Sequence, residues 1–431
     1  MLWLYRLLFL PLALLSAPYY GWRMRRRGGY GAHFGQRFGA TPRLPAKRAG
    51  VRRVWLQAVS VGEMLAIAPL IEAWKKGDPT VEIYLTTTTS TGYALAAERY
   101  LAKGAVMALA YFPVDFWACS ARAWSAIMPD LVVLTEGERW PEHLHQAERR
   151  GVPAVAVNAR LSDRSFRRMR RLGPLARLLT RGLSHVLAAS DGDAERFAAF
   201  GVPAGRIMVT GNLKLDVSLP EVTQAEADKF RRELGLGDAK LVLGASTWPG
   251  EEAALIEAWR GLEKTSPGWK LLLVPRHAER RGEIEALLAT TGLRYHFRSR
   301  GAAAGEVDVA VADTTGELAR LLALGEVVFV GKTLPPHTEG QTPVEAAARG
   351  KAVIFGPGTA NFRLIARELE TAGAARRVAD AAELGAALRN FAEDPRSRER
   401  AGASGSSWHH GNRGAAERTR MALSEILRSR N

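Results

Sequence analysis

The stretch Val54-Trp55-Leu56-Gln57-Ala58-Val59-Ser60-Val61-Gly62-Glu63 decides how the chain is read. Residues 54–59 are short and mostly apolar, the pattern of a buried strand. Ser60-Val61-Gly62 turns the chain, and Leu65, Ala68, Leu70, Ile71 and Trp74 then recur at helical spacing. Glu63 therefore falls in the first turn of a helix, just past the carboxyl end of a strand. In an open parallel α/β sheet that rim is where ligands bind. Ser60-x-x-Glu63 is also a capping-box pattern, in which the glutamate serves only the backbone. The residues alone leave both roles open.

The same unit repeats outward. Residues 82–86, 130–134, 153–157 and 185–189 read as further strands separated by helices, which specifies a parallel sheet wrapped by helices. Polar residues gather at the same end of each strand. One group is Thr135-Glu136-Gly137-Glu138-Arg139-Trp140-Pro141, another Asn158-Ala159-Arg160-Leu161-Ser162. Glu136 and Glu138 suit acid–base work or hydroxyl binding, or simply complement a helix dipole. Arg164, Arg167, Arg168, Arg170 and Arg171, interleaved with Phe166 and Met169, form a basic run. It reads as a solvated face or as an interfacial helix on anionic lipid. No zinc finger or RRM signature supports nucleic acid as the partner.

Thr210-Gly211-Asn212-Leu213-Lys214-Leu215-Asp216 closes a first domain of residues 30–216, and residues 217–223 read as a linker. A second strand–helix set fills residues 224–431, terminal helix included. Its strand ends carry Ser246-Thr247-Trp248-Pro249-Gly250-Glu251, Pro275-Arg276-His277, Asp313-Thr314-Thr315-Gly316-Glu317 and Gly331-Lys332. Thr314-x-x-Glu317 and Thr342-Pro343-Val344-Glu345 read as two more capping boxes. Helix N-termini reached through glycine-containing loops bind anions. Neither a G-x-G-x-x-G nor a Walker A sequence occurs. Lys214 and Arg276 add cationic side chains, which suits a phosphorylated ligand whose phosphate is a leaving group. His277 reads as a structural hydrogen-bonding residue or as a phosphate donor or base. No H-E-x-x-H occurs among the nine histidines, so no metal site is expected.

With 431 residues, 47% of them hydrophobic, the chain has the means for two or three domains and is not disordered. A net charge of +16 points to anionic partners. The single cysteine, Cys119, excludes an intrachain disulfide and a cysteine metal cluster. Residues 2–20 are apolar except for Arg6, and Arg23, Arg25, Arg26 and Arg27 come directly after. A cleaved signal peptide carries its charge before the apolar core, so residues 1–29 read as an uncleaved anchor with a basic flank. The run is near the ~20 residues that span a bilayer, while Pro11 and Pro18 leave a half-inserted anchor open. The arginines place the rest of the chain on the cytoplasmic face.

The motifs, taken in order, resemble the 3-deoxy-D-manno-octulosonic acid (Kdo) transferases of Gram-negative lipopolysaccharide synthesis. The resemblance rests on Ser60-Val61-Gly62-Glu63, the groups at 136–141, 158–162 and 210–214, Pro275-Arg276-His277 and the group at 313–317. It implies a GT-B fold, two Rossmann-like domains facing each other across a cleft. It implies CMP-Kdo as donor, a lipid A precursor as acceptor, attachment to the inner membrane and no metal or other cofactor. It places the catalytic base at Glu63, with Ser60, Gly62, Glu136, Glu138 and Arg160 on the acceptor side. It puts Lys214, Ser246, Thr247, Arg276, His277, Thr315, Gly316, Glu317 and Glu345 with the donor, Glu345 on the ribose. Glu339-Gly340-Gln341-Thr342-Pro343-Val344-Glu345 departs from the family's G-G-H-N-P-L-E pattern, and Arg139 replaces a usual leucine. Two rivals remain in view: another membrane-associated GT-B transferase using a UDP-sugar, and a catalytically silent binding protein of the same fold.

Overall fold

The computed structural model describes residues 2–26, 31–42, 44–217 and 219–429. They form two compact units, residues 1–216 with 413–431, and residues 217–412. The first holds strands β1 (Arg52–Gln57), β2 (Val81–Thr87), β3 (Ala108–Tyr111), β4 (Leu131–Thr135), β5 (Ala154–Ala159), β6 (His185–Ala188) and β7 (Ile207–Val209). All pair in parallel, in the order β3-β2-β1-β4-β5-β6-β7. Successive side chains of β1 go to opposite faces. Val54 and Leu56 join one core with Leu70, Ile71 and Trp74, while Trp55 joins the other with Tyr84, Phe112 and Trp124.

The second unit repeats the plan with β8 (Lys240–Thr247), β9 (Trp269–Pro275), β10 (Tyr295–Phe297), β11 (Val309–Val311), β12 (Val327–Val330), β13 (Ala352–Phe355) and β14 (Ala375–Arg377). Its order is β10-β11-β9-β8-β12-β13-β14. Val242, Leu271, Leu273, Phe329 and Ile354 form the centre of its core. The α/β class and both parallel sheets are as the sequence predicts. The four strands not predicted, β3, β7, β10 and β14, are the outermost strands of the two sheets.

One domain boundary is corrected. The terminal helix Ala415–Arg428, expected in the second domain, packs in the first unit. Its Leu423, Ile426 and Leu427 enter the same core as Leu70 and Trp74. The Asp216 carboxylate accepts the Gly414 and Ala416 N–H groups at its start. Gly211 has φ 94, a left-handed backbone that favours glycine, and a Cβ there would crowd Ala415 Cβ at 3.3 Å as this helix passes. The linker strap at 217 thus leaves the first unit where the chain later re-enters it.

Two capping boxes also differ. The helix at Leu318–Leu321 has Glu317 itself at the N-cap, and the Thr314 hydroxyl donates to the Glu317 carboxylate. At Val344–Ala348 the Thr342 hydroxyl accepts the Val344 N–H at 3.4 Å, and Glu345 returns no bond.

Because the terminal helix is core to the first unit, Leu423→Ala should destabilise that unit by ~2–5 kcal/mol, the usual cost of such a cavity. Thermal unfolding of the solubilised full chain measures it. An unchanged melting temperature would place the helix outside the core.

Candidate active site

In each sheet the strand order reverses at one place, between β1 and β4 and between β8 and β12. Loops leaving such a switch point diverge to opposite faces and open a crevice at the carboxyl edge. Ser60, Gly62, Glu63, Glu136 and Glu138 stand at the first of these places and Ser246 and Thr247 at the second, while most of the other predicted residues follow neighbouring strands.

In the first unit Ser60 caps the helix Val61–Ala66, its hydroxyl accepting the Glu63 N–H at 3.4 Å. The Glu63 carboxylate accepts the Val59 N–H at 2.8 Å and the Thr135 hydroxyl at 2.6 Å. The Ser60 hydroxyl donates to its other oxygen at 3.4 Å. Ser60 therefore does cap the helix, but the Glu63 carboxylate takes the Val59 N–H instead of the Ser60 N–H of a full capping box, and it ties the end of β1 to the end of β4. Burial raises its pKa; the Thr135 and Val59 bonds pull the other way. Gly62, beside it, is exposed.

Glu136, at φ 50, pairs with Lys214 Nζ at 2.7 Å and accepts from Asn158 Nδ2 at 3.5 Å. Asn158 is buried and also left-handed, at φ 48, and its Oδ1 accepts the Leu213 N–H at 3.0 Å. Left-handed backbone at a non-glycine residue costs about 1–3 kcal/mol and persists where its surroundings enforce it. Glu138 has its pKa raised to about 7, first by burial and then by the negative charge of Glu63. Arg160, half-buried at the end of β5, makes no side-chain hydrogen bond or ion pair among the described residues. Lys214, expected with the donor residues, sits with the carboxylates of the first unit. Thr135 and Asn158 were not singled out by the sequence, although both stand at strand ends beside predicted residues.

In the second unit the buried Glu251 carboxylate gathers four backbone N–H groups: Trp248 (2.9 Å), Lys332 (2.7 Å), Thr333 (2.7 Å) and Leu334 (3.0 Å). It fastens the loops after β8 and β12, and it too was not singled out. Ser246 is left-handed at φ 54, and the fully buried Thr247 hydroxyl lacks a hydrogen-bond partner among the described residues. The Trp248 ring lies 5.2 Å from that of His277, and Lys332 Nζ sits 4.3 Å over it. Arg276 and His277 are exposed after β9; Thr315 and Gly316 are exposed after β11. Glu317 receives Arg298 through two bonds, 2.6 and 2.8 Å, which lower its pKa. Glu345 is half-buried with its pKa raised by burial, and its carboxylate has no hydrogen bond among the described residues. Among the described residues no group of three or more His, Cys, Asp or Glu could hold a metal ion.

The family model described as 3-deoxy-D-manno-octulosonic-acid transferase (kdotransferase) matches residues 32–217. A 3-deoxy-D-manno-octulosonic acid transferase of Bordetella pertussis is 38% identical over 419 residues, 94% of each chain. The chain belongs to the Kdo transferase family. The transferase of the same description from Haemophilus influenzae is 31% identical, covering 98% of this chain and 95% of that one. UDP-GlcNAc 2-epimerase from Neisseria meningitidis superposes with a TM-score of 0.57 at 14% identity, over 87% of this chain and all of that one. HepE from Anabaena, in complex with UDP, gives 0.56 at 17% identity, over 88% of this chain and all of that one. These two likenesses show the fold, the two-domain α/β architecture of the GT-B class. This Kdo transferase is thus a glycosyltransferase, as the motifs imply.

The Glu138 environment sets a stability trend. A carboxyl whose folded pKa exceeds its unfolded value, ~4.3, binds more protons folded than unfolded between the two. Stability is then full below the lower value and falls as pH rises towards about 7. The melting temperature of the wild type should fall across that window, and Glu138→Gln should flatten the fall. Parallel curves for the two proteins would show that Glu138 ionises normally.

Proposed function

We propose that the chain transfers Kdo from CMP-Kdo to a lipid A precursor with inversion at the anomeric carbon, Glu63 acting as general base. Glu63 takes the proton of an acceptor hydroxyl as that oxygen attacks the anomeric carbon, and CMP leaves from the opposite face. The observation that carries this reading is Glu63 itself. It is a half-buried carboxylate at the switch point, held by Val59 and Thr135, with its pKa raised by burial. A base with its pKa nearer the working pH accepts a proton more effectively in the transition state. Arg160, with its guanidinium uncommitted, suits an anionic group of the acceptor or of Kdo.

The second unit takes the donor. Arg276 neutralises the phosphate as it departs, with the Trp248 cluster of His277 and Lys332 beside the same sheet edge. Glu345 accepts from ribose hydroxyls, which its lack of protein partners supports. Glu317, held by Arg298 and by the Thr314 hydroxyl, stands beside Thr315 and Gly316 on the nucleotide side. The proposed step uses no metal. The chain works at the cytoplasmic face of the inner membrane. The supporting feature is Leu2–Trp22, long and apolar enough to cross a membrane by length and composition. Arg27, on which the orientation partly rests, lies outside the described residues. The identity of the relatives favours Kdo over a UDP-sugar, and the assembled Glu63 site favours an enzyme over a silent binder.

Glu63→Gln tests the base directly. Glutamine keeps an acceptor for the Val59 N–H but cannot take the proton. Turnover should fall by ~100-fold or more, with melting temperature and CMP affinity unchanged. Near-normal turnover would return Glu63 to a purely structural role. For the donor side, Arg276→Ala and Glu345→Ala should each weaken CMP binding through a lost charge-assisted contact. Calorimetry showing wild-type affinity in both would remove the nucleotide from this edge.

A further inference from the structure

The helix Leu2–Arg26 is not a bare anchor trailing from the first unit. The Tyr5 hydroxyl donates to the Asp115 carboxylate at 2.6 Å. The Arg6 guanidinium makes a two-bonded pair with Glu142, 2.8 Å through Nε and 2.9 Å through Nη2. The Phe9 ring stacks on Phe116 at 5.7 Å. Asp115 and Glu142 are both buried, and Asp115 also accepts the N–H groups of Glu142 and His143 at the start of the helix Pro141–Arg149. Leu2, Tyr5, Arg6, Phe9, Ala13 and Ser16 are the half-buried positions of the first four turns. Their spacing of three and four marks one stripe, turned towards the protein. Trp3, Leu7, Leu14 and Leu15 occupy the opposite stripe and are exposed, Leu15 by 79%.

This arrangement conflicts with a helix that crosses the bilayer. In a crossing helix with the folded domains on the cytoplasmic side, Tyr5 and Arg6 would sit near the far membrane face. Here they touch the folded unit. From Phe9 to Trp22 the helix has about 13 residues left, roughly 20 Å of length, against ~30 Å of hydrocarbon. A buried Glu142 deprived of Arg6 would also lose its charge partner and keep, among the described residues, only the Gln146 amide, at 2.8 Å.

We infer that the N-terminal helix lies in the plane of the membrane as a one-leaflet anchor, latched to the first unit by Arg6–Glu142 and Tyr5–Asp115, with its Trp3–Leu7–Leu14 stripe in the acyl layer. The occupant of that apolar face is lipid. A stripe of leucines with aromatic residues towards the ends, Trp3 at one and Tyr19, Tyr20 and Trp22 at the other, has the make-up of an interfacial helix. The exposed arginines of the helix Asp163–Arg171 supply charge complementary to anionic headgroups; that helix starts beyond the carboxyl end of β5. Asp115 and Glu142 likewise come after the carboxyl ends of β3 and β4. The latch therefore holds the lipid surface along the sheet edge that carries Glu63, so a lipid-borne acceptor reaches the site without leaving the bilayer.

The inference rests on the membrane attachment proposed above and goes beyond it in geometry. Its test uses the full chain in membranes. Arg6→Glu and Glu142→Arg should each lower the thermal midpoint of the membrane-bound protein, and the double swap should recover most of the loss. In a Cys119→Ser chain, Trp3→Cys should stay unlabelled by a membrane-impermeant maleimide added to intact spheroplasts of a Gram-negative host. Labelling of intact spheroplasts, or a double variant no more stable than Glu142→Arg alone, would overturn the in-plane latch while leaving attachment standing. Recovery of the wild-type chain as soluble protein would overturn both.

Discussion

One carboxylate holds together what the topology divides. The strand order reverses between β1 and β4, so the chain segments leaving those strands part from each other. Glu63 spans the gap, accepting the Val59 N–H on one side and the Thr135 hydroxyl on the other. Burial raises its pKa, while its two bonds hold it in place and favour its charged form. Glu138 and Glu136 crowd around it, and Lys214 balances the second of them. The cluster is electrostatically costly for a stable fold, which is the usual mark of a site kept for chemistry.

The segment 210–216 joins this cluster to the architecture. Leu213 and Lys214 reach Asn158 and Glu136, while Thr210, Gly211 and Asp216 receive the returning terminal helix. A single stretch thus serves the site and closes the first unit. In the second unit Glu251 plays the comparable fastening part, binding four N–H groups at the switch point rather than a substrate.

The sequence discloses the inner strands because they are continuous apolar runs buried on both faces. It conceals β3, β7, β10 and β14 because edge strands of three or four residues are too short to stand out; β3 and β7 are apolar but short, and Ala375-Arg376-Arg377 carries no apolar run at all. It discloses Glu63 through its place after a strand, and the resemblance assigns its task. Thr135 and Asn158 stay hidden because their roles are hydrogen bonds between distant strands, which no local spacing records. The terminal helix escapes correct placement for a similar reason. Its apolar face is plain in the sequence, but its partner lies far upstream, beyond the whole second unit.

In the proposed reaction Glu63 at the first sheet's switch point is the base, Arg276 on the second sheet meets the phosphate, and the N-terminal helix is the lipid-side anchor. The most direct measurement is the product itself. Solubilised enzyme is incubated with CMP-Kdo and a tetraacyl lipid A precursor, and the product is read by mass and by the anomeric configuration of the new linkage. The account predicts a precursor heavier by whole Kdo residues, linked with configuration opposite to that of the donor. Retention of the donor configuration, or release of free Kdo with the precursor unchanged, would contradict it.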